Sequence, residues 1–381
     1  MHPASEPSFT ARPRPMARDG FDASPLVVFY ETTQACDLVC AHCRACAQPR
    51  RSPGELSPGD ALALFDDLAR FPLPPLVVLT GGDPMKRPDV YDLVAHGASR
   101  GLTMAMTPSA TPLVTRDALM RLADSGLSRL AVSIDGASAK SHDGLRGVPG
   151  SFVRSLEILA DAKACGLTLQ VNTTVHRGNA DELIELANLL DGTGIVLWSV
   201  FFLVPVGRAM ADQRIAPERY EQVFGLLARE ARRRPYVIKT TEAPHYRRFV
   251  LQQRKRARRE AGEGAPSSVV PPGMMGTNDG RGVLFVGHTG LIQPSGFLPI
   301  PCGRFPVDSV VDVYQDHALL RALRDSDRFS GKCGACEFRS LCGGSRARAF
   351  ALNGDALSSD PDCAYLPPAW RRAQLHAVDA D

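Results

Sequence analysis

Short apolar runs alternate along the chain with segments whose apolar residues recur every three or four positions. The runs predict strands over 26–31, 75–80, 102–107, 129–134, 167–175 and 195–204. The helical spacing predicts helices over 57–71, 88–101, 115–126, 151–166, 179–194 and 217–234. Ser57 followed by Pro58 has the chemistry of a helix start, a side-chain cap and a residue that needs no amide hydrogen. Gly101 and Gly126 fall where the next two helices stop. Six strand–helix units therefore follow one another. The strands show little polar alternation, as expected of a parallel sheet covered by helices. The fold class is α/β, closed either as a doubly wound open sheet or as a barrel. In both, ligands bind at the C-terminal ends of the strands.

The alternation stops near residue 235. Residues 236–282 read as a basic linker: RRFVLQQRKRARRE (247–260) has the look of a solvated helix face, and GEGAPSSVVPPGMMG (262–276) of a loop. A second module is expected over 283–366, with tails at 1–24 and 367–381.

Composition narrows the class. The chain has 381 residues, 44% hydrophobic and 22% charged, which suits a globular protein with a barrel and an appended module. A net charge of +3 gives no general attraction to nucleic acid or membranes. No apolar run reaches the length of a membrane span, and the first twenty residues lack a signal-peptide core, so a cytoplasmic location is expected.

Eight of the ten cysteines fall in two clusters. In a long chain without an export signal such clusters point to metal rather than disulfides. The first cluster, Cys36, Cys40, Cys43 and Cys46, immediately follows the first strand. It contains two overlapping triplets, C-x3-C-x2-C (36, 40, 43) and C-x2-C-x2-C (40, 43, 46). The second triplet would need a fourth cysteine where Arg50 stands to complete a ferredoxin pattern.

C-x3-C-x2-C after the first strand of a six-unit βα chain resembles the radical S-adenosylmethionine (SAM) superfamily, over roughly residues 25–235. The resemblance implies a partial (βα)6 TIM-type barrel. It also implies a [4Fe–4S] cluster on Cys36, Cys40 and Cys43, whose open iron binds SAM and whose reduction yields a 5′-deoxyadenosyl radical that abstracts substrate hydrogen. By the same resemblance, the cofactor-binding residues are Gly81, Gly82 and Asp83 of TGGDP, Ser133 and Asp135 of SIDG, Arg146 toward the SAM carboxylate, Asn172 (with Thr174) on the fifth strand, and Gly207 of VGRAM. Thr107 and Ser109 occupy the place of a Thr-Asn-Gly turn but lack its Asn. An electron donor such as flavodoxin or ferredoxin is implied as well.

Cys333, Cys336, Cys342 and Cys363 form the second cluster, C-x2-C-x5-C-x20-C. Four thiolates can close a zinc site or fully ligate a [4Fe–4S] cluster. The spacing resembles a reduced SPASM extension, a C-terminal module of radical SAM enzymes. Ser295 and Arg346 stand where a second set of ligands would be, so a single auxiliary [4Fe–4S] cluster is expected, with an electron-transfer role. Cys302 reads as a free or substrate-side thiol, Cys165 as buried and inert, and Cys46 as a small buried side chain.

The GRAM-type loop, the reduced extension and QPSGFLPIPCGRF (293–305) together resemble the enzymes of haem d1 and alternative-haem biosynthesis, which act on tetrapyrrole propionates. The expected substrate is therefore a carboxylate-bearing small molecule undergoing oxidation or decarboxylation. Arg208, Arg304, Arg346 and Arg348 are candidate carboxylate receivers. The alternative is a maturase of a ribosomal peptide; only about 25 residues precede the first strand, fewer than a fused leader-binding domain needs. A redox carrier would have no use for the SAM motifs.

Overall fold

A computed structural model describes residues 20–262 and 276–378. A short helix, α1 (Gly20–Ala23), precedes β1 (Val27–Thr33). Then come α2 (Pro58–Leu68), β2 (Leu76–Gly81), α3 (Val90–Ser99), β3 (Thr103–Met106), α4 (Arg116–Asp124) and β4 (Leu127–Ser133). Two helices, α5 (Ala139–Arg146) and α6 (Ser151–Ala164), lead to β5 (Thr168–Val175), α7 (Leu183–Leu190), β6 (Leu197–Phe202) and α8 (Pro217–Glu230). β7 (Val237–Thr241) and α9 (His245–Glu260) follow. The remainder holds β8 (Asn278–Asp279), β9 (Gly282–Val286), β10 (Leu291–Gln293), β11 (Gly303–Arg304), α10 (Val310–Asp316), α11 (Ala318–Arg324), α12 (Gly331–Gly334), α13 (Arg346–Asn353) and α14 (Pro368–Val378).

Strands β1 to β7 run parallel in sequence order, and among the described residues β7 pairs only with β6. The sheet is thus the open, partial barrel expected. Alternate residues of each strand divide between two layers. Val28, Tyr30, Val77, Leu79, Leu130, Val132, Leu169, Val171, Trp198 and Val200 pack outward against the helices in the main core. Their neighbours face the lumen, as period-two side-chain alternation requires. On β1–β3 the lumen face is apolar, with Val27, Val78 and Ala105 in contact. Helix α2 starts as its sequence requires: the Ser57 side chain accepts from the Asp60 amide with Pro58 in the first turn.

Four boundaries are corrected. Residues 237–241 of the expected linker form β7, paired with β6 from Leu197↔Val237 to Phe201↔Thr241, because Ile238 supplies an apolar outward position and the barrel edge was unpaired. β9 of the second module joins the barrel sheet beside β1 (Val27↔Val283), so this module is built onto the sheet edge. Residues 20–24 of the N-terminal tail are ordered by burial of Phe21 and Ser24, with Tyr314 Oη donating to the Phe21 carbonyl at 2.6 Å. Residues 368–378 of the C-terminal tail form α14, with Pro368 at its start. Most of the loop expected at 262–276 lies outside the described residues.

Candidate active site

Both ends of the first cysteine loop are tied together where it leaves β1. Cys36 N donates to Gln48 O at 2.8 Å and Gln48 N to Gln34 O at 3.0 Å. Glu55 accepts from Thr33 Oγ1 (2.6 Å) and Gln34 N (3.0 Å), fixing the exit of β1. Arg208 closes the loop from the far side, with Nε to Cys40 O at 2.9 Å and Nη1 to Ala47 O at 3.1 Å. Gly207, at φ +65°, brings this strap so close that a Cβ would lie 2.4 Å from both Cys43 O and Arg44 O. Gly81 and Gly82 do the same at the end of β2, where a Cβ would meet Thr33 O at 2.4 Å or Ala35 O at 2.3 Å. The glycines are there for close backbone approach.

This packing leaves a cavity of about 200 Å³ at the C-terminal ends of the strands. Cys36, Cys40 and Cys43 line it, together with Gly81, Gly82, Ser133, Arg146, Asn172 and Thr174. Thr107 and Ser109 line it too, and Ser109 Oγ donates to Gly82 O at 2.9 Å. The opposite wall is apolar, with Phe201 and Phe297 rings 6.1 Å apart. Cys46 is absent from the lining; it is exposed and holds φ +47°. The expectation of a small buried Cys46 is therefore overturned, because the backbone turns its side chain outward.

Three expected cofactor contacts lie behind the cavity wall rather than in it. Asp83 is fully buried and accepts from Thr111 Oγ1 (2.7 Å), Met85 N (3.2 Å) and Ser109 N (3.3 Å), so it shapes the loop after β3. Burial pushes its carboxyl above the usual range. Asp135 is buried against Arg146 (Oδ2 to Nη2, 2.5 Å) and accepts from Thr174 N at 2.6 Å. Burial would raise this carboxyl, but Arg146, His42, His142 and that amide together hold it below the ordinary range. Gly207 acts through the backbone of the cysteine loop. Arg146 itself faces the cavity, with Nη1 3.8 Å from Cys40 Sγ and Nε without a hydrogen-bond partner. Sequence reading missed His42, which lines the cavity; burial pushes its imidazole down to about 4.

The sequence of residues 30–190 matches the model of the radical SAM superfamily. The AdoMet-dependent heme synthase of Nitratidesulfovibrio vulgaris is 38% identical over 91% of this chain and 94% of its own length. The chain belongs to the radical SAM superfamily. The pre-heme d1 synthase of Dinoroseobacter shibae is 28% identical, over 90% of this chain and 87% of that protein. Among solved structures, Streptococcus suis SuiB bound to precursor peptide SuiA superposes with a TM-score of 0.70 at 16% identity, covering 90% of this chain and 76% of that one. At that identity the match speaks for the fold.

Membership implies a [4Fe–4S] cluster and SAM, and the donor set fits. Three thiols from one loop meet in one cavity, a set that leaves one iron of a cubane free for a non-protein ligand. Arg146 beside them offers an unpaired Nε–H.

Cys333, Cys336, Cys342 and Cys363 surround a second, smaller pocket, all as free thiols. Burial pushes the Cys336 and Cys363 thiols up to about 11. The pocket is held from behind by Arg346 and Arg348, both fully buried. Arg346 donates to Ala356 O (3.0 Å) and Ser358 O (2.7 Å) and lies 3.5 Å from Cys333 Sγ. These two arginines and Arg208 are thus turned into the protein, onto carbonyls, a cysteine sulfur and buried carboxylates, although Arg208 Nη2 and Arg348 Nη1 keep no partner. Arg304 sits exposed on β11, donating to Thr289 O at 2.9 Å. Cys302 is buried in the main core, where burial pushes its thiol up to about 12, and it lines neither pocket. Cys165 is half-exposed at the end of α6 rather than buried. No helix of the described residues is long and apolar enough to cross a membrane.

Proposed function

We propose that this protein is a radical SAM haem synthase that converts propionate side chains of an iron tetrapyrrole to vinyl groups. The observation that carries this reading is the end-to-end match to heme synthases, 38% identical over 91% of the chain. With its cluster and SAM bound, the site supplies a 5′-deoxyadenosyl radical as hydrogen-atom acceptor. Each side chain then loses one hydrogen atom, carbon dioxide and one electron. The protein's own task is positioning. Arg146, Asn172 and Ser133 offer polar atoms to SAM on one wall. Phe201 and Phe297 offer a face for a macrocycle on the other. The second pocket fits one fully cysteine-ligated [4Fe–4S] cluster, with no ligand position left for substrate, and its proposed part is to accept the released electron. A small external donor such as flavodoxin or ferredoxin would reduce the SAM-binding cluster.

The test is anaerobic reconstitution followed by dithionite, SAM and iron coproporphyrin. The expected result is 5′-deoxyadenosine together with products that have lost carbon dioxide from their propionates. Release of 5′-deoxyadenosine without any change in the porphyrin would overturn the substrate assignment. No 5′-deoxyadenosine under any condition would overturn the proposed reaction.

A further inference from the structure

The lumen of the partial barrel is chemically uneven. Its β1–β3 wall brings Val27, Val78 and Ala105 together, whereas its β4–β7 wall carries Ser133, Asn172 and Ser199 beside Ala131 and Phe201. On this second wall lie two cations without a partner. Arg129 of β4 lies on the side opposite Leu130 and Val132, and Lys239 of β7 on the side opposite Ile238, which are outward core residues. Both therefore face the lumen. Neither makes a hydrogen bond or an ion pair among the described residues, and no carboxylate stands close enough to neutralise either.

Lys239 keeps accessible surface on the lumen side of β7. Arg129 and Arg247 stand close enough to push its ammonium, already disfavoured by burial, down to about 8. Arg247 spends its own donors on Leu341 O (3.1 Å) and Thr277 O (2.5 Å), so it adds positive potential without offering a contact. Like charges gathered without a counter-charge repel one another and attract an anion.

The two cations are also connected to the cavity. Lys239 lies opposite Ser199, Ser199 opposite Asn172, and Asn172 opposite Ser133 in the parallel register. Gln170 Nε2 donates to Asn172 Oδ1 at 2.7 Å, which extends this polar track down β5. Asn172 and Ser133 line the cavity that holds the three cysteines.

We propose that Arg129 and Lys239 form a carboxylate-binding site in the barrel lumen that anchors one propionate of the substrate while another lies at the cavity. The proposal rests on the haem-synthase reading for its ligand, and on the unpartnered lumen cations for its place. Arg129 offers a planar fork and Lys239 a point charge.

The test uses the reconstituted full-length enzyme with iron coproporphyrin and its tetramethyl ester, which has the same macrocycle without charge. Binding is followed by the porphyrin absorption band. Acetylation of Lys239 by an activated ester is followed by mass spectrometry. The acid is expected to bind more tightly than the ester and to protect Lys239 from acetylation, which the ester does not. Lys239→Met and Arg129→Met are each expected to weaken the acid about tenfold, the loss of one charge-assisted hydrogen bond, and to leave the ester unchanged. Lys239→Arg is expected to recover most of the loss. Tight binding of the acid that neither variant weakens would overturn the lumen site and leave the haem-synthase reading standing. If neither porphyrin binds, that reading falls, and benzene-1,3,5-tricarboxylate becomes the probe: protection of Lys239 supports the anion site, and unchanged acetylation overturns it.

Discussion

Arg348 grips Asp360 through two parallel hydrogen bonds, Nε to Oδ1 and Nη2 to Oδ2, each 2.9 Å, with both side chains fully buried. Asp360 in turn accepts from Ser345 N at 2.9 Å, and its own amide donates to Cys333 Sγ at 3.3 Å. Arg348 Nη2 reaches Glu242 O, just beyond β7. One ion pair therefore ties the four-cysteine pocket to the barrel edge.

Removing Arg348 leaves Asp360 buried without its guanidinium, and removing the Asp360 charge leaves Arg348 with only Asp362, 3.2 Å away. Arg348→Met and Asp360→Asn are each expected to destabilise the protein by about 3–5 kcal/mol. Burial would raise the Asp360 carboxyl, but Arg348 and His245, with the hydrogen bonds, hold it below the ordinary range. A depressed carboxyl contributes stability that is present above its unfolded value of about 3.9 and is lost as pH falls through the folded value. Denaturant titrations from pH 7 downward should show wild type losing this contribution only below about pH 4, and Asp360→Asn lacking it throughout. Equal midpoints for wild type and variant at pH 7 would refute the assignment.

Gly207 is the second test. Alanine there would take a backbone conformation costing about 1 kcal/mol, with its Cβ 2.4 Å from two carbonyl oxygens of the cysteine loop. Those atoms are backbone and cannot swing aside. Gly207→Ala is expected to lower the iron bound at the first site after reconstitution, read by iron analysis and by loss of SAM cleavage, while the second site fills normally. Full iron at both sites would show that the strap yields.

The six strands and their order were legible because most carry a short apolar run, β5 alternates apolar and polar residues, and each following helix has a three-to-four spacing. β7 was not: VIKTT offers one outward apolar residue, Ile238, among polar ones, and looks like linker until the barrel edge is present to pair it. The two cysteine clusters stood out by their spacing, but in the first the spacing left two overlapping triplets open, and only the family resemblance chose between them. The fates of the arginines were not. Arg346 and Arg348 are as basic in sequence as any surface residue, and only the fold shows their donors turned onto carbonyls and Asp360. Arg129 and Lys239 escaped notice for the converse reason, since a lone cation in a strand reads as a solvent-facing position.

Two cubanes predict about eight irons per chain. Replacing Cys36, Cys40 and Cys43 together with alanine should leave about four, and so should replacing Cys333, Cys336, Cys342 and Cys363. Iron analysis with electron paramagnetic resonance of the reduced protein separates the two populations. Zinc in the second site, or loss of all iron in the first variant, would contradict two independent clusters.

Cys46 closes the question raised by the overlapping triplets. Cys36 and Cys40 are buried, and with Cys43 they face the cavity, whereas Cys46 is exposed and outside the lining. Its φ of +47° is uncommon for a residue with a Cβ and turns the side chain away from the other three. A ligand would have to reverse that turn and break the strap that Arg208 makes to Cys40 O and Ala47 O. Cys46→Ser is therefore expected to keep full iron at the first site and wild-type SAM cleavage, with stability changed by no more than about 0.5 kcal/mol, as for other exposed substitutions. Cys46→Gly should be neutral or slightly stabilising, because glycine adopts this conformation without steric cost. Loss of iron in Cys46→Ser would return the second triplet to consideration and would require the loop to refold around the metal.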